Sequence, residues 1–188
     1  MKIGINQPYL FPYKGYFKLI QAVDKFVIFD DAQYITRGWI HRNYFPDKLF
    51  TFRLKKHSSR APINECYFFD IEDDKKRFKE KTGINADRYL NLMKPHLNIA
   101  INIAYTLRAI CDDLGISTPF YFASDIPHGK AAQALVDITK ALGGDTYINL
   151  PGGKGLYSQE QFGDIKLEFI ETTPEPSILC SEEIRKLL

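Results

Sequence analysis

At 188 residues, 45% of them hydrophobic and 26% charged, the chain has room for one domain, or one domain with a helical insertion, but not for two full cores. A formal net charge of +2 is too mild to argue for a nucleic-acid binder, which usually shows a strong basic face. No apolar run approaches the ~18 residues of a membrane span.

Met1 to Ile5 reads as a short strand, followed by the Pro- and Tyr-rich turn from Gln7 to Gly15. Tyr16, Leu19, Ile20 and Val23 then hold the i, i+3, i+4, i+7 spacing of one buried helix face, and Phe26 to Phe29 is a second strand ending on Asp30 and Asp31. Strand, loop, helix and strand in thirty residues make a βαβ unit, whose crossover requires parallel pairing. Tyr34 to Pro46 is polar and aromatic and reads as loop. Leu49–Leu54 and Cys66–Ile71 read as strands able to pair antiparallel at an edge, joined by the basic stretch Lys55 to Arg60. A mainly helical segment around 72–115 follows. Its last helix is marked by Ile99, Ile103, Leu107, Ile110 and Leu114 and closed by Gly115. Pro119–Ala123 returns to strand, and Ala131, Leu135, Ile138 and Leu142 mark another helix. Asp145–Leu150 is a strand, Pro151–Gly155 a Gly-rich turn, and Ser158 with Gln161 a capping box. Ile165–Ile170 and Ser181–Leu188 are the last strand and helix. The alternation predicts an α/β fold, a Rossmann-like three-layer sandwich with a mostly parallel sheet, in a single domain over 1–188.

Ligands of parallel sheets bind at the carboxyl ends of the strands, so the segments after the first two strands are the first candidates for a site. Gly15 lets backbone approach a ligand. Gly152 and Gly153 expose N–H groups to an anion, and Lys154 adds charge there. Trp39 offers a stacking ring, and Arg42 a guanidinium suited to phosphate or carboxylate. Lys154 and Arg42, each following a strand, are expected on opposite lips of one anionic site, and replacing either should alter stability little if both side chains are free. Asp30 and Asp31 suit Mg²⁺ or a hold on Arg42. Adjacent residues of a strand face opposite ways, so one of the two is expected to face the site. Against these stand plainer readings: a rigid packing turn, solvated carboxylates, and aromatics that only fill the core beneath the helices. The four histidines have no zinc spacing. Three scattered cysteines, Cys66, Cys111 and Cys180, make neither a disulfide framework nor a metal pattern. With no signal-peptide core at the start, a cytoplasmic protein is expected.

The phrases Q-P-Y-L-F-P-Y-K-G-Y-F-K-L-I (Gln7 to Ile20), D-K-F-V-I-F-D-D-A-Q-Y (Asp24 to Tyr34) and G-W-I-H-R-N (Gly38 to Asn43) closely resemble the WbqC-like family. These are bacterial proteins found among surface-polysaccharide and amino-sugar genes. The likeness continues through Tyr147 to Tyr157 and covers almost the whole chain. More distantly, the N-terminal unit resembles the HIGH superfamily of nucleotidylyltransferases and adenylate-forming amide ligases. Aligning Gly15 with the glycine of H-x-G-H puts Tyr13 and Tyr16 where the histidines stand. Tyrosine donates a hydrogen bond but not the positive charge of an imidazolium.

These resemblances imply nucleotide- or nucleotide-sugar-dependent acyl or aminoacyl transfer to an amino sugar. Tyr13, Tyr16, Lys154 and Arg42 are the expected catalytic residues. Gln7, Pro8, Tyr9, Gly15, Asp30, Gln33, Trp39, Asn43, Gly152 and Gly153 are the expected ligand-binding residues, and no metal ligands are expected among the side chains. ATP with Mg²⁺ is the implied cofactor. The expected partner is a small-molecule nucleotide or nucleotide-sugar, not nucleic acid or membrane, with a homo-oligomer left open. A noncatalytic binding module and a scaffold for other biosynthetic enzymes are the alternatives.

Overall fold

A computed structural model describes residues 1–173 and 175–188. In chain order the elements are β1 (Lys2–Asn6), α1 (Lys14–Gln21), β2 (Lys25–Ile28), β3 (Arg42–Phe45), β4 (Lys48–Thr51), α2 (Ile71–Thr82), α3 (Asp87–Leu90), α4 (Ile99–Asp113), β5 (Phe120–Phe122), α5 (Ala132–Ala141), β6 (Thr146–Asn149), β7 (Lys166–Phe169) and α6 (Glu182–Arg185). They fall into two compact units that interleave along the chain. The first comprises Met1–Gln7, Gly15–Phe29 and 116–173; the second comprises Pro8–Lys14, Asp30–Gly115 and Glu175–Leu188.

The first unit is built on a five-stranded sheet in the order β5-β2-β1-β6-β7, parallel at every pairing, so the fold is the Rossmann-like α/β class. Strand alternation turns Ile3, Ile5, Val27 and Tyr147 to one side, where they pack with Leu135, Val136 and Ile138 of α5 and with Phe162. The amphipathic spacing of α1 buries Tyr16, Phe17, Leu19 and Ile20, each worth about 1.5–3 kcal/mol. Gly4 lets this layer close on β1, since a Cβ there would meet Val23 and Phe26 at 3.2 Å. The capping-box sequence starts a short 3₁₀ turn, Gln159–Phe162, with Gln161 accepting from the Ser158 N–H at 2.9 Å. Gln159 reaches to edge strand β7: its amide donates to the Ile165 carbonyl at 2.9 Å and accepts from the Leu167 N–H at 2.9 Å.

The second unit pairs β3 and β4 as an antiparallel hairpin. This corrects the expectation of loop from Tyr34 to Pro46. Asn43 and Phe45 face inward and Tyr44 outward, but a polar inward residue hides the apolar alternation that marks a strand. The segment Leu49–Leu54 is a strand only to Thr51, and Cys66–Ile71 contains no strand. Leu54 and Phe68 form a single antiparallel bridge, supported by Lys55 N–H to Tyr67 O and Phe69 N–H to Arg53 O, each 2.8 Å. Helix α2 begins at Asp70, whose carboxylate accepts from the Asp73 N–H at 3.0 Å, and stops at Gly83 with φ 74°. Helix α4 begins at Asn98, accepting from Ile101 N–H at 3.0 Å, and ends before Gly115 at φ 70°.

The aromatic excess fills this second core. Phe78 of α2 meets Phe45 and Phe50 edge-on at 4.8 and 5.2 Å between ring centres. Phe11 lies among Phe45, Phe52, Phe78 and Tyr89 at 6.2–6.5 Å. The fully buried Asp74 carboxylate accepts from the Arg53 backbone N–H at 2.7 Å and the Arg53 Nε at 2.8 Å, and pairs with Arg77. Among the described residues, no helix is long and apolar enough to cross a membrane.

Candidate functional site

In the first unit, strand order reverses between β1 and β6, the position at which parallel sheets open a crevice beyond their carboxyl ends. Strand β1 delivers Asn6 and Gln7 there. Gln7 N–H donates to Asn6 Oδ1 at 2.9 Å, and Gln7 carbonyl accepts from the Tyr16 hydroxyl at 2.8 Å. Tyr16 is 1% exposed and its ring lies edge-on to Phe26 at 5.6 Å. It therefore gives its surface to the core and its proton to the backbone of the entering loop, which is a positioning role. Gly15 is buried in the first turn of α1.

Strand β6 delivers Asn149, whose Oδ1 accepts from the Leu150 N–H at 2.7 Å, and then a 3₁₀ turn over Pro151–Gly153. The two glycines of this turn differ. A Cβ on Gly152 would meet nothing within 4 Å, whereas one on Gly153 would come within 2.3 Å of Asn149 Nδ2. Lys154 is not free: its ammonium meets Glu171 Oε1 at 2.8 Å. Both side chains are half or more exposed, so the pair is worth about 0–1 kcal/mol and a ligand can compete for the lysine.

The second unit holds the rest of the Pro-rich motif. Phe11 sits at φ 52°, a region a bulky residue occupies at a cost of about 1–3 kcal/mol. Its carbonyl accepts from Asn43 Nδ2 and from the Ser177 hydroxyl, both at 2.7 Å. Leu10 N–H donates to Ile40 O at 2.8 Å and Ile178 N–H to Pro12 O at 2.7 Å. Tyr13 bridges Ser177 in antiparallel fashion. Pro8 is buried. Burial, followed by the neighbouring Tyr13, pushes the Tyr9 phenol above its ordinary range, and Arg42 pulls it back; Tyr9 is thus a neutral hydrogen-bonding group at physiological pH.

Arg42 opens β3 and does not follow a strand of the parallel sheet, which corrects the expected placement. Its guanidinium lies 4.8 Å from the Trp39 ring centre, and Trp39 stands 6.0 Å from Tyr44. Both rings are nearly half exposed and tilted 43° to each other, so each offers a separate aromatic face, with the Arg42 cation over that of Trp39. Arg42 Nε is buried and has no hydrogen-bond partner among the described residues.

Asp30 is 4% exposed and accepts from Asn64 Nδ2 at 3.2 Å. Gln33 is exposed and donates to Ser59 O at 3.2 Å. Behind them the His41 ring lies between the Tyr34 hydroxyl at 2.7 Å and the Phe52 carbonyl at 2.5 Å. A carbonyl only accepts, so Nδ1 carries the proton and Nε2 takes the tyrosine's. Burial, the largest cause, lowers the His41 pKa, and the imidazole is neutral. Among the described residues, no group of three His, Cys, Asp or Glu side chains is arranged to hold a metal ion.

Of the expected residues, Gln7, Gly15, Tyr16, Gly152, Gly153 and Lys154 belong to the first unit, and Pro8, Tyr9, Tyr13, Asp30, Gln33, Trp39, Arg42 and Asn43 to the second. Sequence reading put Asn6 at the start of the first candidate segment without giving it a role, and passed over Asn149, Glu171 and Ser177. A polar residue closing each of two adjacent strands was the available signal for the asparagines; nothing in the pattern marks Ser177 as a partner of Phe11.

A relative from Mycobacterium tuberculosis (strain ATCC 25618 / H37Rv), the uncharacterised protein Rv1507c, is 26% identical over 186 residues, covering 88% of this chain and 79% of the relative. No solved structure matches the chain significantly. The WbqC-like protein family model matches residues 7–178, which takes in the loop after β1, the Trp39–Arg42 surface and the Gly152–Gly153 turn. The chain therefore belongs to the WbqC-like protein family.

Proposed function

We propose that the protein binds a nucleotide or nucleotide-sugar at the carboxyl edge of the first unit's sheet and uses it for acyl or aminoacyl transfer to an amino sugar in surface-polysaccharide biosynthesis. One observation carries the reading: the segments after β1 and β6 leave adjacent parallel strands at the point where strand order reverses. The start of α1 presents the positive end of a helix dipole, and Gly152 leaves open space beside the backbone of its turn. Transfer at phosphorus consists mostly of positioning and charge stabilisation, which backbone N–H groups, Lys154 and a bound Mg²⁺ would supply. In the second unit, the Trp39–Arg42–Tyr44 surface suits a base or sugar ring.

A second reading, noncatalytic binding of the same ligands, is favoured by the commitment of the Tyr16 proton to Gln7. That leaves the helix start without the mobile proton donors of a histidine pair. Thermal-shift measurements with ATP and a panel of sugar nucleotides, followed by product analysis, separate the two. Binding at a hundredfold excess over Kd raises stability by about 2.7 kcal/mol. ATP-dependent product supports transfer, and saturable binding without turnover supports the module. Neither binding nor turnover at millimolar ligand refutes both.

A further inference from the structure

A guanidinium taken partly out of water calls for an anion, because an unpaired charge away from solvent is costly. Arg42, Arg53, Arg77 and Arg108 are the half-buried arginines among the described residues. Arg53 and Arg77 pair with Asp74, and Arg108 pairs with Asp112. Arg42 meets no carboxylate among the described residues, and none of its guanidinium nitrogens donates to any of them. Its Nε is enclosed, whereas Nη1 and Nη2 are not. The stem is thus held in the protein wall while the terminal edge stays within reach of a ligand.

The surroundings hold this cation without cancelling it. Arg42 N–H donates to the Trp39 carbonyl at 3.4 Å, and the guanidinium lies 4.8 Å from the indole centre. Its charge also acts on Tyr9, Tyr34 and His41. Burial, the largest cause in each case, raises the two phenols and lowers the imidazole, so all three are neutral at physiological pH. What remains to be matched is a single positive charge. A carboxylate brings one negative charge and two acceptor oxygens that fit the guanidinium fork. A phosphate monoester brings about −1.5 to −2 and would leave charge unmatched.

We infer that Arg42 binds a carboxylate end-on through Nη1 and Nη2, and that this is the carboxylate of the acyl or aminoacyl donor. The identity of the donor rests on the transfer reading above; the carboxylate site does not. Trp39 is the one tryptophan of the chain, so indole emission reports on this site alone.

The test is Trp39 fluorescence of the full chain at constant ionic strength. The probes are straight-chain acids from acetate to hexanoate and the non-aromatic amino acids, with acetamide and inorganic phosphate as controls; ATP binding is followed in parallel by thermal shift. At least one carboxylate should change the emission saturably and acetamide should not, while phosphate should bind more weakly than that carboxylate. The tighter class, acids or amino acids, identifies the donor as acyl or aminoacyl. Arg42→Lys keeps the charge but loses the fork, and should weaken the tightest carboxylate by about fivefold or more; Arg42→Gln should abolish the change. No saturable change with any carboxylate, tighter binding of phosphate, or undiminished binding by Arg42→Gln overturns the inference. ATP binding without carboxylate binding leaves the nucleotide reading standing while this inference falls, and carboxylate binding without ATP binding does the reverse. If the variants fail to fold, arginine side-chain ¹⁵N NMR of the parent decides: the Arg42 resonances, identified by their contact with the Trp39 ring, should move with the carboxylate, and unmoved resonances overturn the inference.

Discussion

The left-handed backbone at Phe11 is held by two donors converging on one buried carbonyl, and a double-mutant cycle reads that arrangement directly. Asn43→Ala removes the 2.7 Å bond to Phe11 O and also orphans the Tyr44 N–H, which donates to Asn43 Oδ1 at 2.8 Å. Its expected cost is about 2–3 kcal/mol. Ser177→Ala removes the other 2.7 Å bond and a long contact from the Leu179 N–H at 3.3 Å, for about 1 kcal/mol. After either change the carbonyl still keeps one partner. After both, a buried oxygen on a residue with no exposed surface is left unsatisfied, which adds about 1–3 kcal/mol. The double variant should therefore lose more than the sum of the singles, by more than the ~0.5 kcal/mol within which independent sites add. Urea denaturation of the four proteins, with unchanged m values, measures the excess. Strict additivity would show that the loop does not depend on this carbonyl and that the positive φ is held by the Phe11 ring alone.

Asp74→Ala should cost about 3 kcal/mol in the same denaturation assay. It takes the carboxylate from the Arg53 backbone and from two guanidinium groups, and their partial exposure keeps the value at the low end for a broken buried pair; a loss below ~1 kcal/mol refutes this. Lys14 holds the Glu183 carboxyl down to about 2, chiefly by the hydrogen bond between them at 2.9 Å. A depressed carboxyl stabilises the fold fully above its unfolded value of ~4.3 and loses that contribution as pH falls through about 2. In a carboxyl NMR titration, Lys14→Ala should raise the Glu183 midpoint toward the ordinary carboxylate range, while the backbone N–H and Ser181 still hold it below; an unmoved midpoint would show that Lys14 does not set it.

The βαβ start was legible because one period dominates each element: Tyr16, Leu19 and Ile20 at helical spacing, then Phe26, Val27 and Ile28 as a continuous buried run. Strand β3 escaped because Asn43 occupies an inward position for the sake of the Phe11 carbonyl, a contact 32 residues away. The conformation of Phe11 was equally hidden, since a phenylalanine gives no hint of positive φ. The aromatic surplus could be read as core or as stacking surface, and composition alone had no means of dividing it. Phe11, Phe45 and Phe78 went to the core while Trp39 and Tyr44 stayed out. Lys154 was marked as the cation of the Gly-rich turn, but Glu171 pairs with it from beyond β7, 17 residues on. The interleaving of the two units depends on non-local contacts that no local period encodes.

Gln159 has a consequence for how the sheet ends. Strand β7 is the last in its row, and an uncovered last strand is a template on which another chain can grow a sheet. By offering an amide C=O and N–H to Leu167 and Ile165, the glutamine imitates one residue of a further strand without supplying any backbone to continue it. The row is closed by a counterfeit neighbour, and growth of the sheet through those two groups is blocked from within the same chain.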